Sequence, residues 1–327
     1  MDEINPNDVR FFSGQSHNDL AAGIAQTLGI PLEPTHFARF KNDNMYIQLG
    51  ASVRSRAVYI IQSLTPPVSD HLLELLMMLD IARGAGAREI HAIIPYYSYA
   101  RSDKKDAPRI SITARLVADL LVTAGATHVM TMSLHSPQVH GFFSVPTDPL
   151  TARPLFVKHF SERKLHPAED IVVAPDMGRA KSAARFATRL GLTVAAADKH
   201  RISEKKVHID GMIAKQVEGF RRAIVYDDEI ATGASVLTLS NILVDCGIQE
   251  IAAVCTHGVF VDHALERMQE FDQIKEIIST DTVPISIEKR VSKLQILSVA
   301  PIFAEAILHN YLRRSIGDLF TYSEDRE

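Results

Sequence analysis

The sequence predicts an α/β protein of two tandem domains, each a mainly parallel sheet flanked by helices, and three observations lead there. Short apolar runs alternate with helix-periodic segments along the whole chain, the order that parallel strands with crossover helices produce. Several of these runs end on an acid, or on a turn of small polar residues that opens a helix, as strands do at the ligand-binding edge of an open sheet. The two halves also echo each other. "GAREIHA" (86–92) aligns with "GIQEIAA" (247–253), matching Gly86 with Gly247, Glu89 with Glu250, Ile90 with Ile251 and Ala92 with Ala253, which predicts an internal duplication.

In the first half, "AVYIIQS" (57–63) reads as a buried strand. "SDHLLELLMMLDIARGAGA" (69–87) follows with leucines at helical spacing and glycines that stop the helix. "EIHAIIPYY" (89–97) is the next strand, "SITARLVADLLVTAG" (111–125) the next helix, and "GATHVMTMSLH" (125–135) the strand after it. Around "PTDPLTARP" (146–154) three prolines are expected to interrupt any regular element, placing the domain boundary there: residues 1–150 and 151–327, with the last helix packing back on the first domain. The second half repeats the alternation. "DIVVAPDMG" (170–178) is a strand ending at Asp176, "RAKSAARFATRLG" (179–191) a helix, and "LTVAAADKHR" (192–201) a strand. "RAIVYDD" (222–228), "SVLTLSNILVDCG" (235–247) and "EIAAVCTHG" (250–258) complete the series.

Bulk composition narrows the class. With 46% apolar and 23% charged residues the chain folds, and a net charge of −4 supplies no global basic field for nucleic acid. The acidic N-terminus lacks the apolar core of a secretory signal, and no apolar run approaches the ~18 residues of a spanning helix. Cys246 and Cys255 have no metal-ligand spacing and suggest buried thiols in a reducing compartment. These features point to a cytoplasmic enzyme or binding protein with no membrane and no nucleic-acid partner.

The most telling stretch is "IVYDDEIATGAS" (224–235). A buried strand is expected to end on Asp227 and Asp228, two adjacent acids that are costly to bury and dispensable in a mere turn. The small residues after them can wrap backbone N–H groups around an anion as the next helix starts, where the helix dipole favours phosphate. The hydroxyls of Thr232 and Ser235 add donors. Carboxylates suit sugar hydroxyls or a divalent metal, so the stretch reads as a phosphosugar cradle; the plainer alternative is a strand-to-helix turn capped by Ser235.

This stretch resembles the phosphoribosyl-pyrophosphate motif of the type I phosphoribosyltransferase fold. Other segments resemble the ribose-phosphate pyrophosphokinase (phosphoribosyl pyrophosphate synthetase) family in order along nearly the entire chain. They are "FFSGQSHNDLAAGIAQTLG" (11–29), "PYYSYARSDKKDAPRISITARLVADLL" (95–121), "SLHSPQVHGFF" (133–143), "APDMGRAKSA" (174–183), "DKHRISEKKV" (198–207), "THGVF" (256–260) and "IFAEAI" (302–307). The resemblance implies two phosphoribosyltransferase-like domains and transfer of the β,γ-diphosphoryl group of ATP to O1 of ribose 5-phosphate, with Mg²⁺. Lys199 and Arg201 would stabilise the transition state, Arg201 also meeting the sugar phosphate. Phe40, Asn42, Asn44, Arg101 and Ser102 would contact ATP, the first three reaching a neighbouring subunit's nucleotide. Asp227, Asp228, Ala231, Thr232, Gly233, Ala234 and Ser235 would bind ribose 5-phosphate. Asp176, Met177, Gly178 and Arg179 would form the pyrophosphate loop, and His135 and Asp176 would attend the metal. A homo-oligomer built from dimers up to a hexamer is implied as well.

Four positions depart from the pattern. Asn44 replaces a usual Glu, Ser133 an acid two residues before His135, Ala231 an Asp of the ribose loop, and Arg179 a Gly of the pyrophosphate loop. They suggest a divergent member with an altered nucleotide donor, phosphosugar acceptor or activity. The competing readings are a non-catalytic regulatory subunit, a phosphoribosyltransferase and a diphosphokinase for another phosphosugar.

Overall fold

The computed structural model describes residues 3–197, 199–203, 206–209 and 212–320, with the side chains of 199–203, 206–209 and 318 left aside. In the first half, β1 (Val9–Ser13), α1 (Asn18–Leu28) and β2 (Leu32–Glu33) precede a hairpin of β3 (Thr35–Arg39) and β4 (Met45–Leu49). Then come β5 (Ala57–Ile61), α2 (Val68–Gly84), β6 (Glu89–Ile94), α3 (Thr113–Ala124), β7 (His128–Met132) and β8 (Thr147–Leu150). The second half runs through α4 (Arg153–Ser161), β9 (Asp170–Ala174), α5 (Ala180–Leu190), β10 (Thr193–Ala196) and a hairpin of β11 (Lys199–Ser203) and β12 (Lys206–Ile209). It continues with α6 (Met212–Val217), β13 (Arg222–Ile230), α7 (Ala234–Asp245), β14 (Glu250–Gly258), α8 (Ala264–Glu270), β15 (Ile274–Thr280) and β16 (Leu294–Leu297), and α9 (Ala300–Tyr311) follows.

Contacts divide the chain into two compact units. One is Met1–Thr151 with Thr282–Pro284 and Ser298–Glu327; the other is Ala152–Asp281 with Ile285–Leu297. Helix α9 belongs to the first unit, where it packs on α1, and Gly23 provides the close approach: a side chain there would crowd Ala300.

Each unit contains a six-stranded parallel sheet, ordered β2-β1-β5-β6-β7-β8 in the first and β10-β9-β13-β14-β15-β16 in the second. Numbered within its own sheet, each order is 2-1-3-4-5-6, and each unit inserts its antiparallel hairpin between its second and third sheet strands. A shared order with an insertion at the same point is what duplication produces. Central strands such as β5, β7 and β9 are buried along their whole length, which is why they read as continuous apolar runs.

The prolines of 146–154 break nothing, contrary to expectation. Pro149 lies within β8, an edge strand where a missing N–H is tolerated, and Pro154 occupies the first turn of α4, where its N–H would have no helical partner.

Both sheets reverse their strand order between strands 1 and 3, the point beside which ligands collect. In the first unit the amides at this crevice are engaged from within. The loop after β1 approaches the buried side chains of Gln62 and Glu74 so closely that any side chain at Gly14 would collide with both. Gln15 N donates to Glu74 Oε1 (2.5 Å), Ser16 N to Gln62 Oε1 (3.1 Å) and Gln62 Nε2 to Glu74 Oε1 (2.7 Å). Burial raises the Glu74 pKa, while the bonds from Gln15 and Gln62 oppose the shift.

One face of the same sheet carries a buried polar row. Phe11, Tyr59, His91 and His128 stand in register across β1, β5, β6 and β7. Tyr59 stacks on both Phe11 (4.8 Å) and His91 (4.3 Å). His91 Nδ1 and His128 Nδ1 are 3.1 Å apart, one donating to the other, and His128 Nε2 lies 2.7 Å from Asp148 Oδ2.

Candidate active site

The crevice of the second unit lies between the ends of β9 and β13. After β9 the chain passes Pro175 and turns through Asp176, Met177, Gly178 and Arg179 into α5. Arg179 N donates to Asp176 Oδ1 at 3.1 Å, so the turn is closed by its own carboxylate. Met177 is exposed, as is Gly178, whose Cβ position lies 3.1 Å from Asp176 Oδ1; a side chain there would press on the turn.

Strand β13 does not stop at the acid pair. It pairs with β9 only as far as Val225, yet continues beside β14 with Asp227 opposite Cys255, Glu229 opposite His257 and Ile230 opposite Gly258. Asp227 and Asp228 therefore lie on the part of β13 that has lost its β9 neighbour. Asp228 N donates to Asp227 Oδ1 at 2.8 Å. Burial, and next the charge of Asp228, push the Asp227 carboxyl well above the usual carboxylate range, and the Arg179 guanidinium opposes them. Arg179 Nη1 stands 3.2 Å from Asp228 Oδ2, with both side chains largely shielded from water at 14% and 9% exposure. Two loops that sequence reasoning treated separately are thus joined by an ion pair.

Ala231, Thr232 and Gly233 then bend into α7, where Gly233 is the N-cap with φ +73 and so has no cap side chain. Ser235 is exposed in the first turn and is not the cap residue. Ala234 N points to Thr232 Oγ1 at a long 3.4 Å, and the Thr232 carbonyl accepts from Arg267 Nη2 (2.5 Å). A helix start capped by glycine presents backbone N–H groups to whatever anion arrives. The 176–179 and 231–235 turns thus flank one crevice in one unit, each opening a helix of 11 or 12 residues.

The remaining candidates are elsewhere. Lys199 and Arg201 lie in β11, paired with Ile209 and Val207 of β12, so the single strand expected over 192–201 divides into β10 and the first strand of a hairpin; their side chains fall outside the described residues. In the first unit, Arg101 ends a 3-10 turn (Ser98–Arg101) just after β6 and is exposed, with Ser102 following it. His135 is half-buried in the loop after the neighbouring strand β7. Arg101, Ser102 and His135 thus share the C-terminal edge of the first sheet. Phe40, Asn42 and Asn44 form the tip of the β3–β4 hairpin, closed by Phe40 N donating to Asn44 O at 2.9 Å and by Asp43 at φ +68. Phe40 is 57% exposed with its ring edge-on to Tyr46 at 5.9 Å, so it is not a core residue. Arg163 and Arg222, whose ion pairs with Glu276 and Asp170 line a cleft at the opposite end of the second sheet, were not singled out by the sequence reading.

Comparison with known proteins agrees with this layout. Residues 9–125 match the model of the N-terminal domain of ribose phosphate pyrophosphokinase, and residues 212–321 match that of the phosphoribosyl synthetase-associated domain. A relative from Streptomyces coelicolor is 50% identical over 313 residues, covering 96% of this chain and 98% of that protein. The ribose-phosphate pyrophosphokinase of Deinococcus radiodurans is 42% identical over 313 residues, covering 95% and 97%. The crystal structure of phosphoribosylpyrophosphate synthetase from Mycobacterium smegmatis superposes with a TM-score of 0.86 at 35% identity, covering 94% of this chain and 99% of that one. With relatives this similar over the full length of both proteins, the chain belongs to the ribose-phosphate pyrophosphokinase family.

Proposed function

We propose that this protein transfers the β,γ-diphosphoryl group of ATP to O1 of ribose 5-phosphate, giving phosphoribosyl pyrophosphate and AMP. The observation that carries this reading is the second-unit crevice, where two helix starts suited to anions flank a pair of acids, in a chain with full-length relatives of that name. The acids engage the ribose hydroxyls, the 231–235 turn holds the 5-phosphate, and the 176–179 turn seats the diphosphate being transferred. O1 bonds to the β-phosphorus and releases its proton to water as the bond from that phosphorus to the AMP oxygen breaks. Negative charge grows on the transferred group and on AMP. Lys199 and Arg201 on the β11–β12 hairpin are assigned to stabilise it, Arg201 also meeting the sugar phosphate.

Arg101 and Ser102 contact the ATP phosphates in this reading. Phe40, Asn42 and Asn44 reach the adenine of a neighbouring subunit, which requires a homo-oligomer; dimers building to a hexamer are the assembly we propose. Mg²⁺ takes oxygen ligands, keeps several waters and relies on substrate phosphates, so it does not need a protein cage. Among the described residues no group of three or more His, Cys, Asp or Glu is arranged as one. The Asp176 carboxylate, half-buried in its turn in the second unit, suits such an ion and would hold it, while His135 of the first unit is assigned to the metal through its bound water. When bound, the ion draws charge from the phosphate oxygens. No described helix is long and apolar enough to cross a membrane, and we place the reaction in the cytoplasm.

The test is to incubate the protein with ATP, Mg²⁺ and ribose 5-phosphate and to quantify AMP, ADP and the sugar diphosphate. Equimolar AMP and phosphoribosyl pyrophosphate are expected. ADP alone, or AMP made without dependence on the sugar, would refute diphosphoryl transfer, and a panel of phosphosugars identifies the preferred acceptor.

A further inference from the structure

We infer that Arg179 is a specificity-determining residue: its guanidinium is a built-in counter-cation on Asp228 that keeps a divalent ion off the acid pair. Sugar hydroxyls then meet Asp227 and Asp228 directly and not through metal. The inference deepens the reading above, on which it rests for the assignment of these acids to the sugar.

Three features carry it. Arg179 Nη1 is 3.2 Å from Asp228 Oδ2, with exposures of 14% and 9%, so the pair is screened far less than a surface ion pair. The backbone of the arginine is held as well, because its N–H donates to Asp176 Oδ1 at 3.1 Å and the residue immediately precedes α5. On the other side, Asp227 Oδ1 already accepts from Asp228 N at 2.8 Å, which engages one oxygen of that acid with the backbone.

A guanidinium does not lose its proton at any working pH, so its charge is permanent. A divalent ion approaching Asp228 would meet that fixed charge at close range, in surroundings where repulsion is stronger than in water. Direct recognition by carboxylates suits a ligand offering adjacent hydroxyl donors, as the 2- and 3-hydroxyls of a ribose phosphate do. A tightly bound divalent ion at this place would claim the same oxygens.

The probe is Mn²⁺ alone, titrated into full-length, nucleotide-free protein and followed by electron paramagnetic resonance. Arg179→Met is expected to gain at least about tenfold in Mn²⁺ affinity at one site, and the double variant Arg179→Met/Asp228→Asn to lose that gain. Arg179→Lys, which keeps a cation, is expected to behave as the parent does. Asp228→Asn alone is expected to leave the parent's Mn²⁺ binding unchanged, because the acid is already neutralised. Equal affinities for the parent and Arg179→Met would overturn the proposal. So would a loss of Mn²⁺ binding on Asp228→Asn, which would mean that the acid held metal beside the arginine; this single variant decides the matter should Arg179→Met not fold. Because no turnover is measured, these outcomes are separate from those of the AMP assay.

Discussion

Replacing His91 with Asn should make the first unit markedly less sensitive to acid. Burial, followed by the neighbouring His128 and Arg88, pushes the His91 imidazole from 6.5 down to about 3. Glu89 lies 3.5 Å from His91 Nε2 and pulls the other way, but it is 43% exposed and screened by water, so burial prevails. The folded protein therefore binds fewer protons here than the unfolded chain does. Stability is complete above the ordinary histidine value of 6.5 and declines as pH falls through the window from 6.5 toward about 3. At 1.36 kcal/mol per pH unit of difference, the loss reaches ~2 kcal/mol by about pH 5, or roughly 4–8 °C in melting temperature. The assay is thermal or urea unfolding of the parent and His91→Asn at about pH 7.5 and about pH 5. Asn can still meet His128, so the quantity to compare is the change between the two pH values. An equal acid-induced loss in both proteins would refute the reasoning and move the pH dependence to other groups.

Two further predictions concern the reaction. Lys199→Ala should lower turnover by at least about a hundredfold while ribose 5-phosphate binds nearly as before, because a cation acting on transition-state charge is worth about 2.7–4 kcal/mol; near-normal turnover would remove Lys199 from the mechanism. Asn44→Glu should sharpen the preference for ATP over GTP, since an amide can turn its N–H₂ to a guanine carbonyl whereas a carboxylate leaves that carbonyl unpaired at a cost of about 1–3 kcal/mol. The ratio of kcat/KM for the two donors checks this, and an unchanged ratio would show that position 44 does not read the base.

Much of the architecture was legible because periodicity is local. The continuous apolar runs of β5, β6 and β9 and the leucine spacing of α2 need no knowledge of their partners. What escaped was set by neighbours. Whether β13 ends at Asp227 depends on how far β14 runs beside it, and nothing in residues 222–230 records that β14 is nine residues long. The prolines at 149 and 154 read as breakers until one is seen on a sheet edge and the other in a first helical turn. Arg179 stood out in the sequence as a bulky residue in a turn, but its partner is 49 positions further on, Asp228, a distance across which composition and spacing are silent. Phe40 shows the reverse case: nothing in its apolar character records that it stands exposed at the tip of a hairpin.

The crevice of the first unit, its amides engaged from within, gives the duplication a division of labour. Its loop after β1 holds the same topological station as the 176–179 turn of the second unit, yet its amides are already spent on Glu74 and Gln62. Glu74 acts there as a resident acceptor, brought in by the chain itself on α2. A free phosphate seeking the same amides would have to evict a tethered carboxyl group whose effective concentration far exceeds any metabolite's. One copy of the fold therefore closes this turn with an acid of the turn itself, Asp176, while the other borrows its bracing acid from a helix some sixty residues along the chain.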